Sequence, residues 1–213
     1  QIDEKTEVAV FEMGMDRPGE IARLCEIVKP VAGIITNVGL SHVEHLGSRE
    51  NILKAKMELA ENFTQENMLI INGDDPLLTG EISRGKEYGV LTVGTVGEQS
   101  IKIQNVTFRE GEGIRFTLKS EAEEEIFHLL LPGFHHAANA ALAVAAGQLF
   151  GITMKEAAAG LKKLTATDKR LHLKEKSGIK IIDDTYNASP DSMKAAIDVL
   201  ISVEGRRKLA ILG

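Results

Sequence analysis

Short apolar runs alternate along this chain with longer stretches in which apolar residues recur every three or four positions. EVAVFE (Glu7–Glu12) reads as the first strand, a run typical of a parallel strand covered on both faces. Pro18 suits the first position of a helix that runs to about Val28, with Glu20 in its first turn, and Pro30 ends it. Ala32–Asn37 is a second buried strand. The loop Val38–Gly47 follows, and Ser48 caps a helix to about Phe63. Met68–Asn72 is a third strand, closed by the turn Gly73-Asp74-Asp75-Pro76. This alternation predicts a right-handed, mostly parallel α/β sheet with flanking helices.

The pattern changes after Gly85. Residues 88–131 carry alternating strands and turn signals, and IKIQNVTF, IRFTLKS and EIFHLLL predict an antiparallel β meander attached to the parallel sheet. Helices return at His135–Phe150 and, after the capping pair Thr153/Glu156, run to about Leu164. A boundary near 165–168 leads to two strands, about Leu171–Lys176 and Ile179–Asp184. Ser189-Pro190-Asp191 then opens a helix, and Lys208–Leu212 reads as a last strand. The second part reads as the start of another Rossmann-like α/β domain, which divides the chain into residues 1–165 and 166–213. Both ends look abrupt, so the expectation is a piece of a longer protein.

Helical phase singles out one residue. In the Ser48 helix, Ile52, Leu59, Ala60 and Phe63 cluster on one side, and Lys56 falls among them; Lys54, Glu58 and Glu61 fall on the opposite, solvated side. A buried lysine has its charged form disfavoured, which makes a neutral amine available as a base, a Schiff-base former or an acceptor of carbon dioxide. The plainer reading is a lysine that snorkels to water. In an open parallel sheet ligands bind beyond the carboxyl ends of the strands. Glu12 at the first strand's end, His42 in the loop after the second, and Lys56 can therefore face one crevice. As carboxylate, imidazole and lysine carbamate they would suit magnesium. His45 and Glu44 are the competing pair, and a structural His42 is the competing reading.

Two further groupings stand out. LPGFHHAAN (Leu131–Asn139) delivers His135, His136 and Asn139 to a helix start, where an amide can read an adenine edge or simply cap. IIDDTYNASPDSM (Ile181–Met193) places Asp184, Tyr186 and Asn187 between a strand end and a helix start, suited to a nucleotide phosphate or to a mere junction. Arg170, in the connecting stretch, can reach a phosphate or remain a solvated linker residue.

Composition narrows the classes without choosing among them. Hydrophobic residues make up 43% and charged residues 26% of 213, as in ordinary globular proteins. The net charge of -6 and the lack of a basic stripe argue against nucleic acid as a partner. The single cysteine, Cys25, forms no internal disulfide and sits in a core pattern, which fits a reducing, cytoplasmic setting. No apolar run approaches the length of a membrane span.

VAVFEMGM, ITNVGLSHVEHLGSRENILKAKMEL, LPGFHHAANAALA and DDTYNASPDSMKAA together resemble the Mur ligases of bacterial cell-wall synthesis, over nearly the whole chain. EMGM and DDTYNASPDSM most resemble the branch that adds D-alanyl-D-alanine to UDP-N-acetylmuramoyl-tripeptide. The resemblance implies ATP and Mg2+ as cofactors and an acyl-phosphate intermediate. It implies Glu12, His42 and a carbamylated Lys56 at the magnesium ions, with Lys56 and His42 serving catalysis. Asn139, Arg170, Asp184 and, less directly, Asn187 and Tyr186 would contact nucleotide. Residues 1–165 would be part of the central ATPase domain and 166–213 the opening of the C-terminal domain.

Two departures bear on activity. His135-His136 stands where the family usually has His-Asn. The phosphate-binding pattern G-x-x-x-x-G-K-[ST] occurs nowhere in residues 1–213, where Gly85-Lys86 is followed by Glu87. The chain alone is therefore expected to be inactive, and its unpaired sheet edges are expected to drive self-association or disordered ends. Another Mur-type or folylpolyglutamate-type amide ligase, or a non-catalytic module keeping the fold, are the alternatives.

Overall fold

The computed structural model of the protein describes residues 2–41, 43–165 and 169–212. In chain order the elements are α1 (Glu20–Val28), β1 (Ala32–Ile35), α2 (Val43–Leu46), α3 (Arg49–Met57), a 3-10 turn (Glu58–Ala60), β2 (Met68–Asn72), α4 (Pro76–Ile82), β3 (Gly89–Gly94), β4 (Ile101–Arg109), β5 (Gly113–Lys119) and β6 (Glu124–Leu129). They continue with α5 (His135–Leu149), α6 (Met154–Leu161), β7 (His172–Lys176), β8 (Ile179–Asp183) and α7 (Pro190–Ser202).

The first six strands form one sheet in sequence order. β1, β2, β3 and β4 run parallel, and β4, β5 and β6 form the antiparallel meander. β2 shows why the parallel part reads as a continuous apolar run. Its alternate residues serve two cores: Ile70 faces α5 and α6, while Leu69 and Ile71 face α1, α3 and α4. α5 is rich in alanine, and Ala137, Ala140, Ala141 and Ala145 let its backbone lie close across β2, β3 and β4. In the meander, Phe116 and Phe127 are cross-strand partners with ring centroids 5.5 Å apart. Such a pair adds about 1 kcal/mol beyond its buried area.

Local signals placed most helix starts. Thr153 and Glu156 form a reciprocal capping box on α6, and Ser189 with Ser192 does the same on α7 behind Pro190. α1 begins later than expected. Gly19, at φ 87, is its N-cap, and Pro18 lies in the turn before it. α4 is an addition: Asp75 caps it and Pro76 is its first residue, where the sequence had read only a turn.

Four expectations are corrected. Residues 7–12 form no strand and stand exposed, Val10 at 90%. A strand needs a neighbour's ladder, and among the described strands none pairs with this segment. Residues 208–212 are likewise outside any strand, with Ile211 91% exposed, for the same reason. β1 buries Gly33 and Ile35 but exposes Ile34, because it is the edge of the described sheet. Glu58, expected on the solvated side of α3, is buried. The start of α1 packs over that side of the helix, and Glu58 accepts from the Gly19 and Ala22 backbones there.

β7 and β8 pair antiparallel as a separate two-stranded sheet. With α7 they bury Leu171, Val199 and Val203 against Phe108 of β4. Glu110 at the β4–β5 turn pairs with Lys180 of β8 and accepts a hydrogen bond from the Glu204 backbone at 2.8 Å. Those contacts set the second unit against the main sheet.

Candidate active site

The first cluster gathers where β1 and β2 end. Lys56 is half-buried, while Lys54, two residues away, is exposed, as helical phase requires. Burial lowers the Lys56 pKa, and the negative charge of Asp75 partly opposes that shift. Asp75 is itself buried. One of its oxygens accepts from the Leu77 and Leu78 backbones at 3.0 and 3.4 Å, and the other accepts from Val38 at 2.7 Å. Arg49 of α3 donates twice to the Val38 carbonyl, at 3.0 and 2.7 Å. The peptide that opens the loop toward residue 42 is thus gripped on both its N–H and its C=O.

The expected partners of Lys56 are placed unevenly. Glu12 is exposed and makes no hydrogen bond or ion pair among the described residues, and the neighbour that acts on Lys56 is Asp75. Below Glu12 the chain is pinned by Met13, whose sulfur lies 3.9 Å from Cys25 Sγ, and by buried Met15. His42 lies outside the described residues. His45 and Glu44, the competing pair, are both exposed on short α2 and face each other at 3.6 Å. Among the described residues no group of three or more His, Cys, Asp and Glu side chains is arranged to hold a metal.

The second cluster joins the start of α5 to the loops of the second unit. His135 and His136 lie with ring centroids 4.2 Å apart. Desolvation pushes the His136 pKa down to about 4, and the neighbouring His135 lowers it further. The same desolvation lowers His135, against which the Asp184 charge works. Asn139 is exposed, four residues beyond His135 and so on the same face of α5. Asp184 accepts from the Leu171 backbone at 3.1 Å, and the Tyr186 N–H donates to the Lys169 carbonyl at 3.1 Å. Between these two anchors Arg170 lies over the Tyr186 ring, 4.2 Å from its centroid. Lys169 and Leu171 both adopt left-handed backbone, at φ 62 and 46. Each such residue costs about 1–3 kcal/mol, and such strain concentrates at functional sites. Asn187 is exposed, with its side-chain oxygen accepting from the Ala188 backbone at 2.9 Å.

The two clusters are linked. Asp191, in the first turn of α7, accepts from the Leu40 backbone at 3.3 Å. Its carboxylate comes so near Gly39 that a Cβ there would lie 2.6 Å from it. The sequence reading missed this contact, the Arg170–Tyr186 stack and Asp75. Asp-Pro after a strand was the available signal for Asp75, since it marks an N-cap and first helical position.

A profile described as the Mur ligase middle domain matches residues 1–147. The chain belongs to the Mur ligase family. It is 45% identical over 213 residues to a UDP-N-acetylmuramoyl-tripeptide--D-alanyl-D-alanine ligase of Bacillus subtilis, covering 99% of this chain and 45% of that protein. A ligase of the same name from Synechocystis is 32% identical, covering 96% of this chain and 43% of its own length. The structure of MurF from Acinetobacter baumannii superposes with a TM-score of 0.89 at 27% identity, over 96% of this chain and 44% of that one. MurF from Thermotoga maritima in complex with ADP does so at 0.81 and 29%, over 91% of this chain and 44% of that one. The chain thus spans a little under half the length of these Mur ligases, and the fold read from its sequence is theirs. No helix among the described residues is long and apolar enough to cross a membrane.

Proposed function

We propose that the chain is part of a cytoplasmic ATP-dependent ligase that joins D-alanyl-D-alanine to UDP-N-acetylmuramoyl-tripeptide in peptidoglycan precursor synthesis. The observation that carries this reading is the 45% identity to the Bacillus subtilis ligase over 213 residues, 99% of this chain. The similar MurF structure that holds ADP supports ATP as the co-substrate. The substrate carboxylate attacks the γ-phosphorus of ATP and ADP leaves. The amine of D-alanyl-D-alanine then attacks the acyl phosphate, phosphate leaves, and the amine's proton passes to solvent. On this reading residues 1–165 belong to the central domain and 166–213 open the next.

In side-chain type the candidate residues suit Mg2+. Burial favours the neutral amine of Lys56, whose Nζ can attack carbon dioxide and lose a proton to become a carbamate. That carbamate, the unpaired Glu12 carboxylate and His42 would hold the metal, which when bound neutralises phosphate charge. Arg170, pre-set by its stack on Tyr186, offers a guanidinium fork to a phosphate. Asn139 offers an amide to the adenine edge, and Asp184 and Asn187 line the same approach. The isolated chain holds no G-x-x-x-x-G-K-[ST] cradle and is expected to be inactive alone. We also expect it to self-associate through the free edge of β1, which size-exclusion chromatography of the chain checks.

The test is to incubate the intact protein that carries this chain with ATP, Mg2+, UDP-N-acetylmuramoyl-tripeptide and D-alanyl-D-alanine. The expected result is the pentapeptide product with one ADP and one phosphate each. Product only with a different amine, or with a folate acceptor, overturns the reading. Tight ATP binding by the chain alone in calorimetry would instead mark a binding module.

A further inference from the structure

Asp75 is more heavily engaged than a helix cap requires. Capping α4 uses one carboxylate oxygen, the one that accepts from Leu77 and Leu78. The other is committed to Val38, 37 residues back, in the shortest of its three hydrogen bonds. Val38 is fully buried, and Arg49 grips its carbonyl. Arg49 and Lys56 stand seven residues apart, on the same face of α3. A single buried carboxylate thus joins the start of α4 to the first peptide of the loop after β1, and its charge is felt by Lys56 of α3. An exposed acid would be satisfied by water; this one is 7% exposed and spends both oxygens on backbone donors.

We propose that Asp75 is a positioning residue for Lys56, holding the first peptide of the loop after β1 in register with α3. The proposal rests on the reading of Lys56 and His42 given under Proposed function. With both oxygens on backbone donors, Asp75 acts through Val38 and the loop that Val38 begins.

Asp75→Ser separates the two duties. A serine at the N-cap supports α4 about as well as aspartate but has one oxygen, so the Val38 link is lost. Amide hydrogen exchange on the isotope-labelled chain reads this directly. In the unsubstituted chain the Val38 amide should exchange about 100-fold more slowly than exposed-turn amides such as Gly111. In Asp75→Ser it should speed up about tenfold or more, while Leu69 and Ile71 stay protected. Asp75→Asn, whose side chain is longer than serine's and can place its one accepting oxygen on either Val38 or α4, should fall between. Fast exchange at Val38 in the unsubstituted chain overturns the proposal whether or not any variant folds. Unchanged protection in a folded Asp75→Ser also overturns it.

In the intact ligase, Asp75→Ser should lower kcat about tenfold with KM for ATP and D-alanyl-D-alanine within about threefold. A raised KM for ATP at unchanged kcat would overturn the role in chemistry. Should the unsubstituted intact protein make no pentapeptide, it is the functional reading that fails, and the Val38 measurement still decides the positioning claim.

Discussion

Glu58 is the buried acid whose removal should be felt most sharply in stability. Its carboxylate accepts from the Gly19 backbone at 2.7 Å and the Ala22 backbone at 3.1 Å. Those are N-terminal donors of α1, a helix whose own N-cap is a glycine with no side chain to offer. Glu58 therefore caps α1 from the 3-10 turn that follows α3. Glu58→Ala leaves both donors unpartnered beneath a surface that α1 and α3 share. Each hydrogen bond to a charged group is worth about 1.5–3 kcal/mol, and water reaching exposed Gly19 recovers part of that. The expected loss is about 3 kcal/mol, and at roughly 2–4 °C per kcal/mol for a domain of this size Tm falls by about 6–12 °C. Glu58→Gln, which can satisfy one donor and not both, should cost about half. Thermal unfolding by circular dichroism gives the total, and hydrogen exchange locates it: α1 amides should lose protection before those of β2. The segment carrying Glu12 precedes α1 and leans on it through Met13 and Met15, so the same change should loosen that segment too. A Glu58→Ala chain within about 0.5 kcal/mol of the original refutes the reasoning, because it would mean the cap is replaced by solvent at no cost.

Three further outcomes follow from particular contacts. Gly113 combines φ 83 with a Cβ position 2.0 Å from the Leu129 carbonyl oxygen, whereas Gly111, at φ 76, faces open space. Gly113→Ala should cost more than about 2 kcal/mol and Gly111→Ala about 1, compared by denaturant midpoints. The His136 pKa, held near 4 in the fold against an ordinary 6.5, makes the unfolded chain bind the extra proton between those values. Stability from this group is therefore complete above pH 6.5 and is lost as pH falls toward 4; His136→Asn should flatten that slope in Tm against pH. Gly39→Ala should push Asp191 off Leu40, visible as faster exchange at the Leu40 amide with the core unchanged, and unchanged exchange there would show the contact to be idle.

What could be read from the sequence was what neighbouring residues decide among themselves. The capping pair on α6 and the Ser189 cap with Pro190 on α7 are local, and both formed. The phase of α3 is local up to Met57, which is why Lys56 was told apart from Lys54. The reading failed where a partner distant in sequence decides the outcome. EVAVFE has strand composition, but strand formation belongs to the ladder, and no described neighbour supplies one. Glu58 and Asp75 look like surface acids in sequence, because charge and position say nothing of the donors waiting 36–39 and 37 residues earlier.

Those two acids also bear on how the backbone around the candidate residues is held. Glu58 ties the start of α1 to the end of α3, and Asp75 ties the loop after β1 to α4. The three stretches that motif reasoning nominated are thus joined by two carboxylates that it passed over. A buried acid satisfied by backbone donors immobilises one side chain where a salt bridge must immobilise two. The residues expected to do chemistry can then stay exposed and unpaired, as Glu12 is, while the backbone beneath them is fixed by carboxylates already committed to backbone donors.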